Sequence, residues 1–211
     1  YHGDLFHRRG ALIAEKLVSK KALTAVDFPS VLTKTDLPVF TMAAPDLIFY
    51  SHDVSRPTVD GKIPFNEDKQ TPPSRAYLKL WEALTVLGEW PAAGERVADL
   101  GSSPGSWSWA LSRLGPQVFS IDRSPLDPAV AANKNIIFKK GDAFSLEPTP
   151  MDWVFSDVIC FPDKLYEYVQ GWIKSGHCQK FICNVKFAGK VDQHVVDRFR
   201  RIPHSRVIHL L

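Results

Sequence analysis

Long apolar runs are missing from this chain. No stretch approaches the ~20 residues a bilayer-spanning helix needs, so no membrane partner is expected. Cysteine is scarce and unpaired in pattern. Cys160, Cys178 and Cys183 are odd in number and form no C-x-x-C, which argues against a disulfide framework and against a clustered thiolate metal site. Reduced thiols, no bound metal and a cytoplasmic location are the resulting expectations. Two phosphate-binding signatures are also absent. Gly101 and Gly105 are four apart with Pro104 between them, so the G-x-G-x-x-G dinucleotide fingerprint is not met, and no G-K-[ST] Walker ending occurs. Charge of one sign is nearly balanced. The net +3 does not by itself prove a nucleic-acid partner. Basic and acidic residues cancel over residues 1–70, so the whole excess falls in 71–211. The first residue is Tyr1 and not Met, and a fragment of a longer protein is expected.

What is present is an ordinary globular composition, 45% hydrophobic and 23% charged, which excludes disordered and fibrous classes. From about Arg96 the chain alternates short β-rich runs with helical segments. RVADLG, QVFSID, NIIFKKGD, MDWVFSD, KFICNVKF and SRVIHLL read as six strands. Helices are expected at Ser106–Leu114, near Asp163–Ser175 and near Val191–Arg201. Strands separated by helices imply parallel pairing with right-handed crossovers, and their near-continuous apolar character implies cover on both faces. The predicted fold class is therefore α/β: a Rossmann-like, doubly wound, mostly parallel sheet with helices on both faces. PPSRAYLKLWEALTVLG reads as an amphipathic helix, with Tyr77, Leu80, Trp81 and Leu84 at helical spacing. Residues 1–65 are expected to form a small N-terminal α+β segment, with a helix in FHRRGALIAEKLVSK and strands in LPVFTMA and DLIFYSHDV. SRPTVDGKIPFNEDKQTPP reads as the linker to a domain over 66–211.

Ligands of open α/β sheets sit outside the carboxyl ends of the strands, at the point where strand order reverses. The first strand of the sheet ends in Asp99-Leu100-Gly101, and Ser102-Ser103-Pro104-Gly105-Ser106 turns into a helix. Glycine at 101 and 105 would let backbone approach a ligand closely. Asp122 closes the second strand, where a carboxylate can hold both hydroxyls of a ribose. Asp142 follows the third, placed to accept from an adenine amino group. Asp99 and Asp157 end the first and fourth and would add negative charge to the same crevice. A cationic ligand carrying a ribose and an adenine, S-adenosylmethionine, suits this set; strand-end and helix-capping aspartates are the structural alternative.

PPSRAYLKLWEAL, VADLGSSPGSWSWAL, SIDRSP, GDAF, DWVFSDVIC and FICNVKF together resemble the FtsJ-like ribose 2′-O-methyltransferases. Within them they resemble the RlmM-like branch, which methylates a cytidine of large-subunit ribosomal RNA. Trp172, Gly176, Cys178 and Asn184-Val185-Lys186 share that branch's spacing, and the likeness covers about residues 62–211. The resemblance implies S-adenosylmethionine as methyl donor, S-adenosylhomocysteine as product and ribosomal RNA as partner, with a monomer expected. It implies that Ser103, Pro104, Gly105 and Ser106 line the methionine end of the cofactor, that Asp122 holds its ribose and that Asp142 holds its adenine. Asp157 would stand beside the reacting centre, and Ser74 would touch the cofactor. Trp107 keeps the family's aromatic position, whereas Ser106 replaces its usual glycine.

The family's Lys-Asp-Lys core maps onto Lys79, Asp157 and Lys186. Lys186 would accept the hydroxyl proton, Asp157 would orient it, and Lys79 would position the hydroxyl. A fourth family residue, a glutamate on the last strand, has no counterpart here. It is expected beyond Leu211, on a missing final strand; reading SRVIHLL as the final strand would instead put Arg206 in its place. After the fourth strand stands Ser156-Asp157-Val158-Ile159-Cys160, without the Asn/Asp-Pro-Pro-aromatic turn of amine methylation, so oxygen methylation is favoured. The spacing of Trp107, Trp109 and Trp153 fits packing against the sheet better than base stacking. Lys139-Lys140 and Arg198–Arg201 are candidate RNA contacts. The competing readings are a same-fold methyltransferase with another acceptor and an inactive cofactor- or RNA-binding module.

Overall fold

In the computed structural model, residues 6–17, 25–32, 39–51 and 63–208 are described. They fall into two compact units. One holds the described residues up to Glu67 together with Trp81–Glu89, and the other holds Asp68–Leu80 and the described residues from Trp90 on.

The first unit contains helix α1 (His7–Leu17) and an antiparallel hairpin of β1 (Val39–Ala44) and β2 (Leu47–Ser51). Trp81 stacks on Phe28 at 4.9 Å between centroids and meets the edge of Phe65. The expected linker lies partly outside the described residues. Its described part is not a free tether, because Phe65 bridges Val26, and the amides of Val26 and Asn66 donate to the carbonyls of Pro64 and Val26.

Helix α2 (Tyr77–Leu87) buries Tyr77, Leu80, Trp81 and Leu84, the four apolar positions at helical spacing. The sheet of the second unit is built from β3 (Arg96–Leu100), β4 (Gln117–Asp122), β5 (Ile136–Lys140), β6 (Met151–Ser156) and β7 (Cys178–Cys183). All four pairings are parallel, in the order β5-β4-β3-β6-β7. The order reverses between β3 and β6, which sets the switch point beside Gly101 and Asp157. Among the described residues this sheet has five strands, where six were expected. Ser205–Ile208, the described part of SRVIHLL, forms no strand, and the rest lies outside the described residues. The placement of Arg206 on a final strand falls with it. A β-prone run needs a neighbour to complete its hydrogen bonds, and Ser205–Ile208 has no ladder partner.

Helices α3 (Ser106–Ser112), α4 (Pro128–Ala131), α5 (Pro162–Ser175) and α6 (Gln193–Arg200) complete the unit. Side chains alternate across β3 as strand geometry requires. Ala98 and Leu100 join Ile121, Met151, Val154 and Trp172 on one face. Asp99 faces the other, where it meets Ser108 of α3. Trp107, Trp109 and Trp153 are buried, so they pack in the core and do not offer stacking surfaces. The one-turn α4 has no hydrophobic period to betray it; Pro at its first position and Asp127 as its cap define it.

Candidate active site

The turn after β3 is held by the protein itself. Gly105 caps α3 at φ 115, and a Cβ there would come within 2.9 Å of Val130 Cγ1. Gly101, at φ 77, would bring a Cβ to 3.0 Å from Val158 Cβ. Both glycines are thus required by left-handed backbone and by neighbouring side chains. The Asp122 carboxylate clamps the same turn: Ser103 N–H donates to Oδ2 at 2.9 Å and Ser124 N–H to Oδ1 at 2.8 Å. Ser103 Oγ donates to the Pro125 carbonyl. Ser74 and Ser106 meet, hydroxyl to hydroxyl, at 2.7 Å, and Trp107 Nε1–H donates to the Ala76 carbonyl. The P-S-R stretch and the turn, far apart in sequence, are neighbours.

A cleft of about 650 Å³ opens at the carboxyl ends of the strands. Gly101, Asp122, Asp142, Val158–Pro162 and Lys186 are among its walls. Ser74, Ser103, Pro104, Gly105, Ser106 and Trp107 are not among its lining residues. Asp142 caps the short turn Ala143–Ser145 by accepting from Phe144 N–H, and its other oxygen receives the Arg123 guanidinium. That guanidinium, together with the capping bond, holds the Asp142 carboxyl below its ordinary value.

Asp99 departs from the expectation that it lends charge to the crevice. It is only 1% exposed, and Ser108 Oγ donates to it at 2.5 Å. Burial pushes its carboxyl up to about 7, with the charges of Asp157 and Asp122 acting in the same direction and the Ser108 bond opposing.

Asp157 follows β6 directly and faces the segment after β7. Lys186 Nζ donates to the Asp157 carbonyl at 2.6 Å and forms an ion pair with Asp157 Oδ1 at 2.8 Å. Asn184 Nδ2–H donates to the same Oδ1. Lys186 stands three residues beyond β7, and the pair is part-buried, with side chains 31% and 19% exposed. Lys79, the third member of the expected set, is exposed on the first turn of α2 and is not among the residues that line the cleft.

The expected basic patches fare unequally. Arg198 is engaged by Asp163 and Glu167 and lies over the Tyr166 ring, and Arg200 pairs with Asp197, so much of that cluster's charge is offset. Lys139 and Lys140 stay exposed on the edge strand β5. No group of metal-ligating side chains occurs among the described residues, and no described helix is long and apolar enough to cross a membrane. The feature that sequence reasoning missed is the exposed apolar pair Ile159 and Phe161 on the cleft wall. Its only signal was two large apolar residues at alternate positions after a strand-end aspartate.

A parallel doubly wound sheet with a carboxylate-lined cleft at its switch point defines a Rossmann-like protein of the methyltransferase type. The FtsJ-like methyltransferase family model matches residues 72–202, and the chain belongs to that family. It is 34% identical over 142 residues to "Ribosomal RNA large subunit methyltransferase M" of Azoarcus sp. (strain BH72), covering 64% of this chain and 39% of that protein. The protein of the same description from Halorhodospira halophila is 38% identical over 118 residues, 54% of this chain and 35% of its own length. The chain thus spans under two fifths of these relatives. A phosphoethanolamine N-methyltransferase of Haemonchus contortus, solved with S-adenosylhomocysteine, matches 50% of this chain and 25% of its own at 18% identity, with a TM-score of 0.37.

Proposed function

We propose that this chain methylates a ribose 2′-hydroxyl of RNA, with S-adenosylmethionine as donor, S-adenosylhomocysteine as product and a cytidine of large-subunit ribosomal RNA as acceptor. The observation that carries the reading is the Asp157–Lys186 pair, whose lysine lines the switch-point cleft. The names of the two bacterial relatives support ribosomal RNA as the partner. The donor set fits the cofactor: Asp122 keeps lone pairs for two ribose hydroxyls after accepting from Ser103 and Ser124, and Asp142 sits across the same cleft. When bound, S-adenosylmethionine supplies an electrophilic methyl group.

The remaining chemistry belongs to the chain. A ribose hydroxyl is a weak nucleophile, and its proton must leave as the new bond forms. Lys186 is the acceptor of that proton in this reading. Its hydrogen bond to the Asp157 carbonyl and its ion pair with the Asp157 carboxylate hold Nζ in place, so the hydroxyl meets a positioned acceptor. The catalytic centre of this reading is the Asp157–Lys186 pair, with Lys79 proposed to position the hydroxyl.

Asp122→Asn tests the cofactor assignment. The amide keeps the side chain's shape but loses the charge and one acceptor, and charge-assisted bonds are the stronger class. Calorimetry is expected to show S-adenosylmethionine affinity about 10- to 100-fold lower. Unchanged affinity would remove Asp122 from the site.

A further inference from the structure

The segment Val158–Pro162 joins β6 to α5, and its side chains alternate. Val158 and Cys160 pack against the apolar cluster of Leu165, Val169, Val195 and Phe199. Ile159 and Phe161 point the other way and are 86% and 81% exposed. Both line the cleft that Lys186 also lines. A single exposed apolar residue is ordinary; two in register on one strip beside the reacting pair form a surface.

Phe161 also breaks a local rule. It is the N-cap of the 14-residue helix α5, with extended backbone and no side-chain capping bond. Ser, Thr, Asp or Asn is preferred there because the side chain satisfies an otherwise unbonded helical N–H. Phenylalanine gives up that bond and leaves a ring in water. Departures of this kind collect at functional sites.

The position of the strip selects its occupant. Asp122 and Asp142 follow β4 and β5, on one side of the switch point, whereas Ile159 and Phe161 follow β6, on the side of Lys186. Lys164, in the first turn of α5, lines the same cleft. An aromatic face flanked by two lysines is complementary to a base on a phosphate backbone. We propose that Phe161, with Ile159 beside it, stacks the nucleobase of the acceptor nucleotide and so delivers its ribose to Lys186. This rests on the RNA-methylating reading above.

The test uses the full-length protein, S-adenosylmethionine and unmodified large-subunit ribosomal RNA. Phe161→Ala is expected to lower kcat/KM for RNA about 5- to 150-fold, chiefly through KM, as loss of one stacked base implies. Cofactor affinity by calorimetry should stay unchanged, and Phe161→Trp should keep wild-type transfer. Phe161→Asn supplies the missing helix cap, so it should raise the melting temperature while lowering transfer. A purely structural Phe161 would not separate those two readouts. Equal kcat/KM in the wild type and Phe161→Ala, or a Trp variant as poor as Ala, overturns the stacking role alone. Absence of transfer by the wild type overturns the RNA-methylating reading, and the stacking role with it.

Discussion

Replacing Lys186 by arginine is expected to abolish most methyl transfer while leaving cofactor affinity nearly unchanged. The substitution keeps the positive charge and a donor for Asp157, so the pair that anchors the segment after β7 survives. What it removes is a nitrogen able to lose its proton, because a guanidinium stays protonated at any usable pH. Loss of a positioned general base typically costs about 10²–10⁴-fold in rate. Lys186→Ala should fall to a similar level, and Asn184 still bonds Asp157 in that variant, so the carboxylate is not abandoned. Single-turnover rates at saturating cofactor and RNA, with calorimetry alongside, separate chemistry from binding. A Lys186→Arg enzyme with near-native rates would instead make the residue a fixed charge, with the proton leaving to Asp157 or water.

Asp99→Asn is expected to stabilise the fold above neutral pH. In the native chain this carboxyl is buried and stays protonated up to about 7, whereas an exposed aspartate ionises near 3.8. The folded state therefore binds the extra proton between those values. Stability from this group is greatest below about 4, declines as pH rises through the window, and levels off above about 7. Asparagine carries no such charge and can still accept from Ser108. The variant's margin over wild type should be near zero at pH 4 and reach roughly a few kcal/mol at pH 8. Urea unfolding across that range measures it. A margin independent of pH would show that Asp99 does not titrate in the folded state.

Much of the fold was legible because apolar runs and strand-end aspartates are local signals. VADL, VFSI, IIF, WVFS and KFIC each became a parallel strand, since only a sheet covered on both faces rewards such runs. SRVIHLL carried the same local signal and its described part failed, because strand formation depends on a neighbour that sequence does not reveal. Four aspartates looked equivalent in sequence, yet burial divides them. Asp99 turns under α3, Asp122 and Asp142 line the cleft, and Asp157 pairs with Lys186. Gly105 has a second reason that sequence does not reveal: its missing Cβ makes room for Val130, a contact 25 residues away. Lys79 illustrates the converse. Its place in a family pattern was clear, and its exposed position off the cleft was not.

Mass-mapping of ribose methylation in large-subunit ribosomal RNA, from cells with and without this protein, tests the central claim most directly. The account expects one 2′-O-methylcytidine to vanish when the protein is absent. It should return with the wild-type chain but not with Lys186→Arg. Identical methylation maps with and without the protein would contradict the account.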